Sequence, residues 1–207
     1  PNIPIVAEIP MRKKEENTII ESNERSAVAE SFRILRTNLN YLNPKKSDHK
    51  KLPDGQVIMV TSTTKAEGKT FVSINLANAL DFTSKKVLLI GCDLRNPQLH
   101  TYLDLKKDHI GVTNFLHDDS VKFKDLILKN KKKNSKLDIV LSGQIPPNPA
   151  ELLMSERFEE MINAAKAEYN YIVIDTAPTI LVTDTALISK FANSTLYVTR
   201  AGLTDIR

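Results

Sequence analysis

Apolar residues occur along the chain in two patterns, as short uninterrupted runs and as longer stretches in which they recur at steps of three or four residues. The short runs are rich in Val and Ile, which suits strands that are buried on both faces of a sheet. They predict strands at residues 57–61, 87–90, 137–141, 171–174 and 195–198. The longer stretches predict helices at residues 26–42, 68–80, 112–116, 123–129, 150–168 and 184–191.

Strands and helices alternate in this prediction, and that order indicates the fold class. Parallel strands are joined by crossover connections, usually helices, so the order predicts an α/β domain with a parallel sheet and helices on both faces. Ligands of such sheets bind beyond the carboxyl ends of the strands. The loops that follow residues 61, 90 and 174 are therefore the places where we expect the chemistry.

Composition supports one globular domain rather than a disordered or membrane-spanning chain. The 207 residues are 41% hydrophobic and 26% charged, and no stretch approaches the roughly 18 apolar residues of a transmembrane helix. Cys92 is the only cysteine and cannot form an internal disulfide, which favours a reducing, cytosolic setting. Because the sequence begins with Pro1 and stops at Arg207 just after an apolar run, we expect it to be part of a longer polypeptide.

The net charge of +4 is modest, and much of it comes from two clusters of lysines. The clusters are formed by Lys45, Lys46, Lys50 and Lys51 and by Lys129, Lys131, Lys132, Lys133 and Lys136. A nucleic-acid site usually pairs such charge with aromatic residues, but the chain has no Trp and its Phe and Tyr residues are scattered. We therefore expect no nucleic-acid partner, and we interpret the clusters either as solvated loops or as a surface attracted to an anionic membrane.

A candidate phosphate-binding loop follows the first predicted strand. Its sequence, Ser62-Thr63-Thr64-Lys65-Ala66-Glu67-Gly68-Lys69-Thr70, leads straight into a predicted helix, so backbone N–H groups and the helix N-terminus can surround a phosphate. Lys69 would reach the β- and γ-phosphates of a nucleotide, and the Thr70 hydroxyl would bind magnesium. Thr63 stands where the standard motif has its first glycine, so only Gly68-Lys69-Thr70 is intact. A loop with a purely structural role is the alternative.

Two aspartates stand at the ends of predicted strands and can complete this site. Asp93 follows the second strand in the segment Gly91-Cys92-Asp93, and Asp175 follows the fourth in Asp175-Thr176-Ala177-Pro178. A carboxylate in such a position can hold magnesium directly or through water, and Asp175 is the stronger candidate. The alternative for each is a helix cap or a turn-forming residue. Asp184 stands at the start of the helix predicted at residues 184–191 and is interpreted as its N-cap rather than as a ligand.

Taken together, these segments resemble a known family. Residues 60–70, 87–97 and 171–178 look like the Walker A, Walker A′ and Walker B segments of the bacterial tyrosine kinases, or BY-kinases, which act in capsule and exopolysaccharide export. The resemblance extends over nearly the whole chain and includes residues 148–153. It also includes a lead-in at residues 3–10, which is similar to the linker after the family's second membrane span. It implies a P-loop NTPase of MinD/ParA-like architecture.

The resemblance also implies how the chain is organised and where it acts. Residues 1–25 would be a linker segment next to the membrane in the parent protein, and residues 26–207 a P-loop tyrosine kinase domain that is truncated at its carboxyl end. The domain would lie at the cytoplasmic face of the bacterial inner membrane. Its partner there would be the transmembrane and periplasmic part of the same polypeptide or of a partner polypeptide.

For activity, the resemblance implies ATP-dependent phosphorylation of tyrosines, with ATP and Mg²⁺ as cofactors. The acceptor would be the tyrosine-rich tail of a neighbouring subunit, so that autophosphorylation occurs in trans. The residues expected to be catalytic are Lys69, Asp93 and Asp175, and those expected to bind the metal are Thr70, Asp93 and Asp175. The residues expected to bind ATP are Thr64, Lys65, Ala66, Glu67, Gly68, Lys69, Thr70 and Phe71. Arg95 is either a further phosphate contact or one half of a surface ion pair.

Glu30, Arg33 and Arg36 match an E-x-x-R-x-x-R pattern that mediates ring oligomers in the family. Their three-residue steps place the charges on one side of the first predicted helix, where they can pair with charges of a second subunit. The resemblance therefore implies a ring-like homo-oligomer with these three residues in its interface. From the spacing alone, a solvated helix face is the simpler explanation.

Two departures from the family pattern keep other functions open. Gly91 stands where the family has the first of two aspartates, which leaves Asp93 alone to take the proton from tyrosine, and the tyrosines are dispersed rather than gathered in a tail. One alternative is a MinD- or ParA-like ATPase switch, although such proteins carry a signature lysine at the place of Thr64, one residue before Lys65. The other is a catalytically weak ATP-binding scaffold of the export machinery, which Gly91 favours.

Overall fold

The computed structural model describes residues 3–11, 19–42, 55–105, 109–130, 134–180 and 183–204. In these ranges one sheet contains the strands β1 (Gln56–Ser62), β2 (Val87–Gly91), β3 (Leu128–Lys129), β4 (Leu137–Val140), β5 (Tyr171–Asp175) and β6 (Ser194–Val198). Their order across the sheet is β3-β4-β2-β5-β1-β6, and every neighbouring pair is parallel except β3 with β4. The predicted α/β fold class is confirmed.

Helices cover both faces of the sheet. They are α1 (Ala27–Leu42), α2 (Lys69–Asp81), α3 (Leu99–Tyr102), α4 (Val112–His117), α5 (Pro149–Met154), α6 (Glu156–Glu168) and α7 (Asp184–Ser189), with a 3-10 turn at Phe123–Leu126. Successive strand residues point to opposite faces. Ile58 and Val60 of β1 therefore belong to a core with α1 and α2, whereas Val57 and Met59 belong to a second core with α4, α6 and α7. Burial on both faces explains the uninterrupted apolar run of β1.

The prediction for residues 123–129 is wrong. Instead of one helix, this stretch forms the 3-10 turn and then β3, which pairs with β4 in antiparallel fashion. A seven-residue helix is marginal on its own. In β3, by contrast, Lys129 gains backbone pairing with Asp138, and its ammonium lies 2.6 Å from the Asp138 carboxylate. The sheet is consequently mixed at this edge rather than wholly parallel.

The predicted helix over residues 150–168 is two helices, α5 and α6. The break lies at Ser155, whose backbone is extended with φ −67° and ψ 153°, and whose hydroxyl donates to the carbonyl oxygen of Leu152. A side-chain bond of this kind competes with continuation of a helix. After the break, α6 begins at Glu156, and its Phe158 is fully buried in the second core.

Two described stretches ahead of α1, residues 3–11 and 19–26, pack onto the helices. Val6 and Ile9 are partly buried against the first core, and Asn38 of α1 donates through Nδ2 to the carbonyl oxygen of Val6 at 2.7 Å. Ile20 is 2% exposed, and its N–H donates to Oδ1 of Asn75 in α2 at 2.8 Å. The first of these stretches is therefore bonded to α1 and the second to α2.

Most of the two lysine clusters falls on residues 43–54 and 131–133, which lie outside the described ranges. Lys136 is described and exposed, and its Nζ donates to the carbonyl oxygen of Ser84 at 3.2 Å. Within the described ranges, no helix is long and apolar enough to cross a membrane.

Phe32 tests the packing of α1 on α2. Its side chain is fully buried and packs edge-on against Phe71, with ring centroids 5.7 Å apart. We expect Phe32→Ala to lower the free energy of unfolding by about 3–5 kcal/mol, because it removes buried surface and leaves a cavity. Ile34→Ala is the matched control, since Ile34 lies on the same helix and is 48% exposed. Urea unfolding that gives equal losses for the two variants would contradict this packing.

Candidate functional site

The loop between β1 and α2 turns its backbone sharply. Ala66 and Gly68 have φ angles of 66° and 101°, both in the left-handed region. Turns of this kind can point successive N–H groups to one side and form a concavity that binds anions. Directly afterwards α2 begins at Lys69, with no side chain capping its first turn. The N–H groups at the start of α2 can therefore serve an anion held in the loop.

Lys69 carries a nearly buried positive charge at this place. The residue is 8% exposed, and among the described residues its ammonium takes part in no salt bridge or hydrogen bond. A buried charge that no hydrogen bond or ion pair satisfies is costly. Lys69 is therefore suited to an anion that enters from outside the protein.

Asp175 lies at the end of β5 and is held by two hydroxyls of α2. Thr70 Oγ1 donates to one carboxylate oxygen at 2.8 Å, and Ser73 Oγ lies 3.0 Å from the other. The residue is 2% exposed, and burial raises its pKa to about 6 although the two hydroxyls and the charge of Lys69 pull it down. The nearby charge of Asp93 adds to the rise. The carboxylate is thus buried, yet still ionised at neutral pH.

Asp93 reaches the same edge of the sheet from β2. The strand order places β2 beside β5, with Gly91 as the Cα partner of Asp175, and Cys92 N–H donates to the Asp175 carbonyl oxygen at 2.7 Å. One oxygen of Asp93 accepts a hydrogen bond from Asn96 N–H at 2.9 Å. Asp93 therefore both forms a turn, as the alternative supposed, and adds its charge to the surroundings of Asp175.

Gly91, the departure from the family's acidic pair, has Ser142 in the space beside it. A Cβ added to Gly91 would lie 2.9 Å from Ser142 Oγ. That hydroxyl donates to the carbonyl oxygen of Gly91 at 2.9 Å. An aspartate at this position would require the Ser142 side chain to rotate, so the substitution is linked to the packing of the neighbouring segment.

Arg95 is engaged in an ion pair. Its Nε and Nη2 lie 2.8 and 3.0 Å from the two carboxylate oxygens of Asp184, which is 1% exposed. Because a buried carboxylate needs a partner, this contact favours the ion pair over a phosphate contact for Arg95. The interpretation of Asp184 as an N-cap is wrong. Thr183 holds the cap position, and Asp184 is the first residue of α7.

The buried carboxylate of Glu67 stabilises the loop through hydrogen bonds to two other residues. It is 4% exposed, its Oε2 accepts a hydrogen bond from Thr64 N–H at 2.6 Å, and its Oε1 accepts one from the Thr204 hydroxyl. Burial alone would raise the pKa of Glu67, but hydrogen bonds from Thr204 and Thr64 outweigh it and lower the pKa. Arg200 Nη1 donates to the Ala66 carbonyl oxygen at 2.9 Å. The turn after β6 therefore holds the middle of the loop.

The other residues expected to bind ATP differ in their surroundings. Lys65 is exposed at the tip of the loop, whereas the ring of Phe71 packs against Phe32 and belongs to the core around α1. The structure thus brings Lys69, Thr70, Asp93 and Asp175 to one edge of the sheet, and it uses the Phe71 side chain elsewhere.

Sequence reasoning missed three residues that shape this site, namely Ser73, Arg200 and Thr204. Ser73 could have been found, because it lies three residues after Thr70 and so shares one face of α2. Arg200 and Thr204 come from the turn after β6, far along the chain from the loop they contact. No periodic pattern connects such positions, so only the folded structure reveals them.

The predicted interface charges on α1 are partly used within the chain. Arg33 Nη1 lies 2.9 Å from the carboxylate of Glu30, and its Nη2 donates to the carbonyl oxygens of Ser22 and Glu24. Arg36 Nη1 donates at 2.8 Å to a carbonyl oxygen near the end of α2. Glu30 is exposed. Of the three charged side chains, Glu30 therefore makes the fewest contacts within the described part of the chain.

Comparison with known proteins identifies the family. The AAA domain family model matches residues 55–201. Tyrosine-protein kinase YwqD of Bacillus subtilis (strain 168) is 33% identical over 193 residues, which are 93% of this chain and 77% of that protein. The chain belongs to the bacterial tyrosine kinase family. The resemblance drawn from the Walker-type segments is confirmed.

A longer member of this family and a solved structure agree with that assignment. Tyrosine-protein kinase wzc of Salmonella typhimurium is 34% identical over 196 residues, but the chain spans only 26% of its length. The kinase domain of Escherichia coli tyrosine kinase ETK superposes with a TM-score of 0.82 at 29% identity, covering 98% of this chain and 80% of that one. Tyrosine kinases therefore match both the sequence and the fold of the chain.

A MinD protein shares only the fold with this bacterial tyrosine kinase domain. The septum site-determining protein MinD from Pyrococcus horikoshii, solved as a complex with Mg-ADP, superposes with a TM-score of 0.58 at 24% identity over 70% of the chain. The P-loop architecture implies nucleotide binding. Between the two hypotheses that share this architecture, the comparisons favour the kinase over the MinD-like switch.

The variant Asp175→Asn tests how much the buried charge of Asp175 lowers the free energy of unfolding. The folded-state pKa of Asp175, about 6, exceeds the ordinary value of 3.8. The raised pKa of Asp175 stabilises the folded state fully at pH values below 3.8. This contribution is lost as the pH rises through about 6. At pH 7.5, without metal or nucleotide, we therefore expect Asp175→Asn to unfold with a free energy up to about 3 kcal/mol higher than the unmodified protein.

Unfolding by urea at several pH values between about 4 and 8 measures this effect. The advantage of Asp175→Asn should shrink towards pH 4, where the carboxyl group is neutral. Asp119→Asn is the control, because it removes the charge of a carboxylate whose side chain is 95% exposed. A stability difference that does not change with pH would contradict the buried, ionised carboxylate.

Proposed function

We propose that this domain is an ATP-dependent protein-tyrosine kinase that phosphorylates tyrosines in the tail of a neighbouring subunit and so regulates capsular and exopolysaccharide polymerisation and export. One observation carries the proposal. Lys69 is 8% exposed and its ammonium bonds to no other described residue, and Thr70, next in sequence, has a hydroxyl that is bonded to Asp175. This arrangement offers one cation and one carboxylate to a phosphate chain and its metal.

The residues present fit a magnesium ion that is shared with the nucleotide. Mg²⁺ prefers oxygen ligands and is commonly held by one or two carboxylates together with substrate phosphates. Thr70 and Asp175 supply two such oxygens, 2.8 Å apart. In the described ranges no group of three His, Cys, Asp or Glu side chains could hold a metal alone. When bound, the ion would neutralise charge on the β- and γ-phosphates.

The phosphates would be held by the loop itself. Lys69 would contact the β- and γ-phosphates, and the N–H groups from Lys65 to Phe71 would surround them, because the N–H of Thr64 already donates to Glu67. Gly68 supplies the left-handed turn that the loop needs. The bonds of Glu67 to Thr64 and Thr204 keep its carboxylate away from this task, so that Glu67 acts by shaping the loop.

Proton transfer would depend on Asp93. With Gly91 in place of the first aspartate of the pair, one oxygen of Asp93 would accept the proton of the attacking tyrosine hydroxyl. The other oxygen is held by Asn96 N–H, which orients the carboxylate. A weak base here would give slow transfer, and that outcome corresponds to the scaffold hypothesis.

The larger assembly is part of the same proposal. The chain spans 26% of the wzc relative, which is much longer. We propose that a transmembrane and periplasmic part, in the same or a partner polypeptide, accompanies the domain. The domain would lie at the cytoplasmic face of the inner membrane and form a ring through Glu30, Arg33 and Arg36. In that ring each active site would receive the tyrosine-rich tail of the adjacent subunit.

Lys69→Met tests the proposed site. We expect Mg²⁺-dependent ATP binding to weaken at least about tenfold and tyrosine phosphorylation to fall to background, because the neutral side chain cannot hold the phosphates. The fold should persist, since the ammonium bonds to no other described residue. Labelled ATP with a tyrosine-containing copolymer as acceptor measures the transfer, and circular dichroism checks the fold. Lys85→Met is the control, because Lys85 is exposed and lies just before β2, at the amino end of that strand, whereas the loop follows the carboxyl end of β1.

The same assay separates the three functions. Label on tyrosine supports the kinase, free phosphate alone supports the ATPase switch, and nucleotide binding with neither supports the scaffold. Full activity of Lys69→Met would refute the assignment of the site. Loss of activity in Lys85→Met as well would point to a general effect of removing lysines rather than to this site.

Glu30→Ala tests the proposed ring. Glu30 is exposed and bonds only to Arg33 in the described chain, so its removal should leave the monomer stable, with a change in unfolding free energy below about 0.5 kcal/mol. We expect the oligomer seen by size exclusion with light scattering to shift to smaller species. Glu159→Ala, an exposed residue of α6, should not change the mass. An unchanged mass in Glu30→Ala would count against this interface.

A further inference from the structure

Tyr197 of β6 lies at the start of the phosphate loop, although no motif points to it. Its side chain is 48% exposed. Its hydroxyl oxygen lies 2.8 Å from Thr63 Oγ1 and 3.2 Å from Thr179 Oγ1. Thr179 Oγ1 in turn donates to the carbonyl oxygen of Ser62 at 3.1 Å. These groups form a hydroxyl chain that runs from Thr63 through Tyr197 and Thr179 to Ser62.

The direction of the protons in the hydroxyl chain follows from the carbonyl at its end. A carbonyl oxygen can only accept a hydrogen bond, so the Thr179 hydroxyl donates its proton to the carbonyl oxygen of Ser62. Thr179 must then accept from Tyr197, and Tyr197 must accept from Thr63. Every hydroxyl donates once and accepts at most once, and bonds arranged in this way strengthen one another.

The hydroxyl chain joins three segments that are distant in sequence. Ser62 and Thr63 begin the phosphate loop, Thr179 belongs to the loop after β5, and Tyr197 belongs to β6. Two backbone bonds lie alongside, from Thr179 N–H to the Ser62 carbonyl oxygen at 2.8 Å and from Ile180 N–H to the Thr63 carbonyl oxygen at 3.2 Å. The loop after β5 is thereby held against the beginning of the phosphate loop.

We propose that Tyr197 is a positioning residue that holds the loop after Asp175 against the phosphate loop, and so fixes the separation between Asp175 and the pair Lys69 and Thr70. The proposal rests on the proposed nucleotide site. Tyr197 itself does not touch the phosphates. Thr63 stands in place of the first glycine of the phosphate-loop motif, and it supplies the first hydroxyl of the hydroxyl chain.

A general stabilising role is the competing explanation, and local measurements distinguish the two. The hydroxyl of Tyr197 is near solvent, so water replaces part of a lost bond and global stability should change little. Local opening of a loop is a different quantity and depends on the few bonds that close it. A positioning role therefore predicts a large local effect together with a small global one.

Tyr197→Phe removes only the hydroxyl and tests this directly. In the nucleotide-free protein we expect amide hydrogen exchange at Thr179 and Ile180 to become about fivefold to tenfold faster, as for the loss of one net hydrogen bond. Titration calorimetry should show Mg-ADP affinity lower by about fivefold, while the midpoint of urea unfolding stays nearly unchanged. Tyr41→Phe is the matched control, since Tyr41 is 78% exposed on α1.

Variants of Thr63 supply the second test. Thr63→Val keeps the shape and removes the hydroxyl, so it should reproduce the effect of Tyr197→Phe and add little when the two are combined. Thr63→Ser keeps the hydroxyl and should restore the unmodified exchange rates. Additive losses in the double variant would overturn the hydroxyl chain.

Unchanged exchange in Tyr197→Phe would overturn the proposal, as would a lowered unfolding midpoint with unaltered Mg-ADP affinity. Failure of the proposed function looks different. If the unmodified protein binds no Mg-ADP, the nucleotide site and the consequence for affinity are both lost. The exchange rates of the nucleotide-free protein still decide whether Tyr197 holds the two loops together.

Discussion

The site depends on a carboxylate that is buried where three strands end. Asp175 is 2% exposed, and the hydroxyls of Thr70 and Ser73 hold its two oxygens. Burial raises the pKa of a carboxyl group and makes its ionised form costly. The ionised carboxylate nevertheless positions a helix, because the two hydroxyls that contact it belong to the first turns of α2. The bond to Asp175 thus fixes the start of that helix, with Lys69 beside it, over the end of β5.

The register of the sheet places this carboxylate. Val60 of β1 and Gly91 of β2 are both Cα partners of Asp175, because β5 lies between β1 and β2. The phosphate loop begins just after β1 and Asp93 just after β2, so the three loops have to converge. A slip of one residue would turn Asp175 to the other face of the sheet. The apolar runs that hold the strands in register therefore also hold the site.

The central strands and the phosphate loop could be predicted because their signals are local. Residues 123–129 were not predictable in the same way, since seven residues do not decide between a short helix and an edge strand that a neighbour completes. The break at Ser155 depends on where α6 packs. Tyr197 lies 134 residues from Thr63, and nothing periodic links the two positions. The sequence therefore shows which residues bear charge and hydroxyls, but not which distant segments hold them in place.

Support from distant segments explains how the loop keeps its shape without the standard first glycine. Thr63 is not among the residues with positive φ, so its side chain causes no strain there, and its hydroxyl is bonded. Further along the loop, Arg200 holds the carbonyl of Ala66, and Thr204 holds Glu67. In a standard loop, glycines permit the conformation. Here β6 and the turn after it help to impose it, so changes in β6 should affect the nucleotide site as directly as changes in the loop itself.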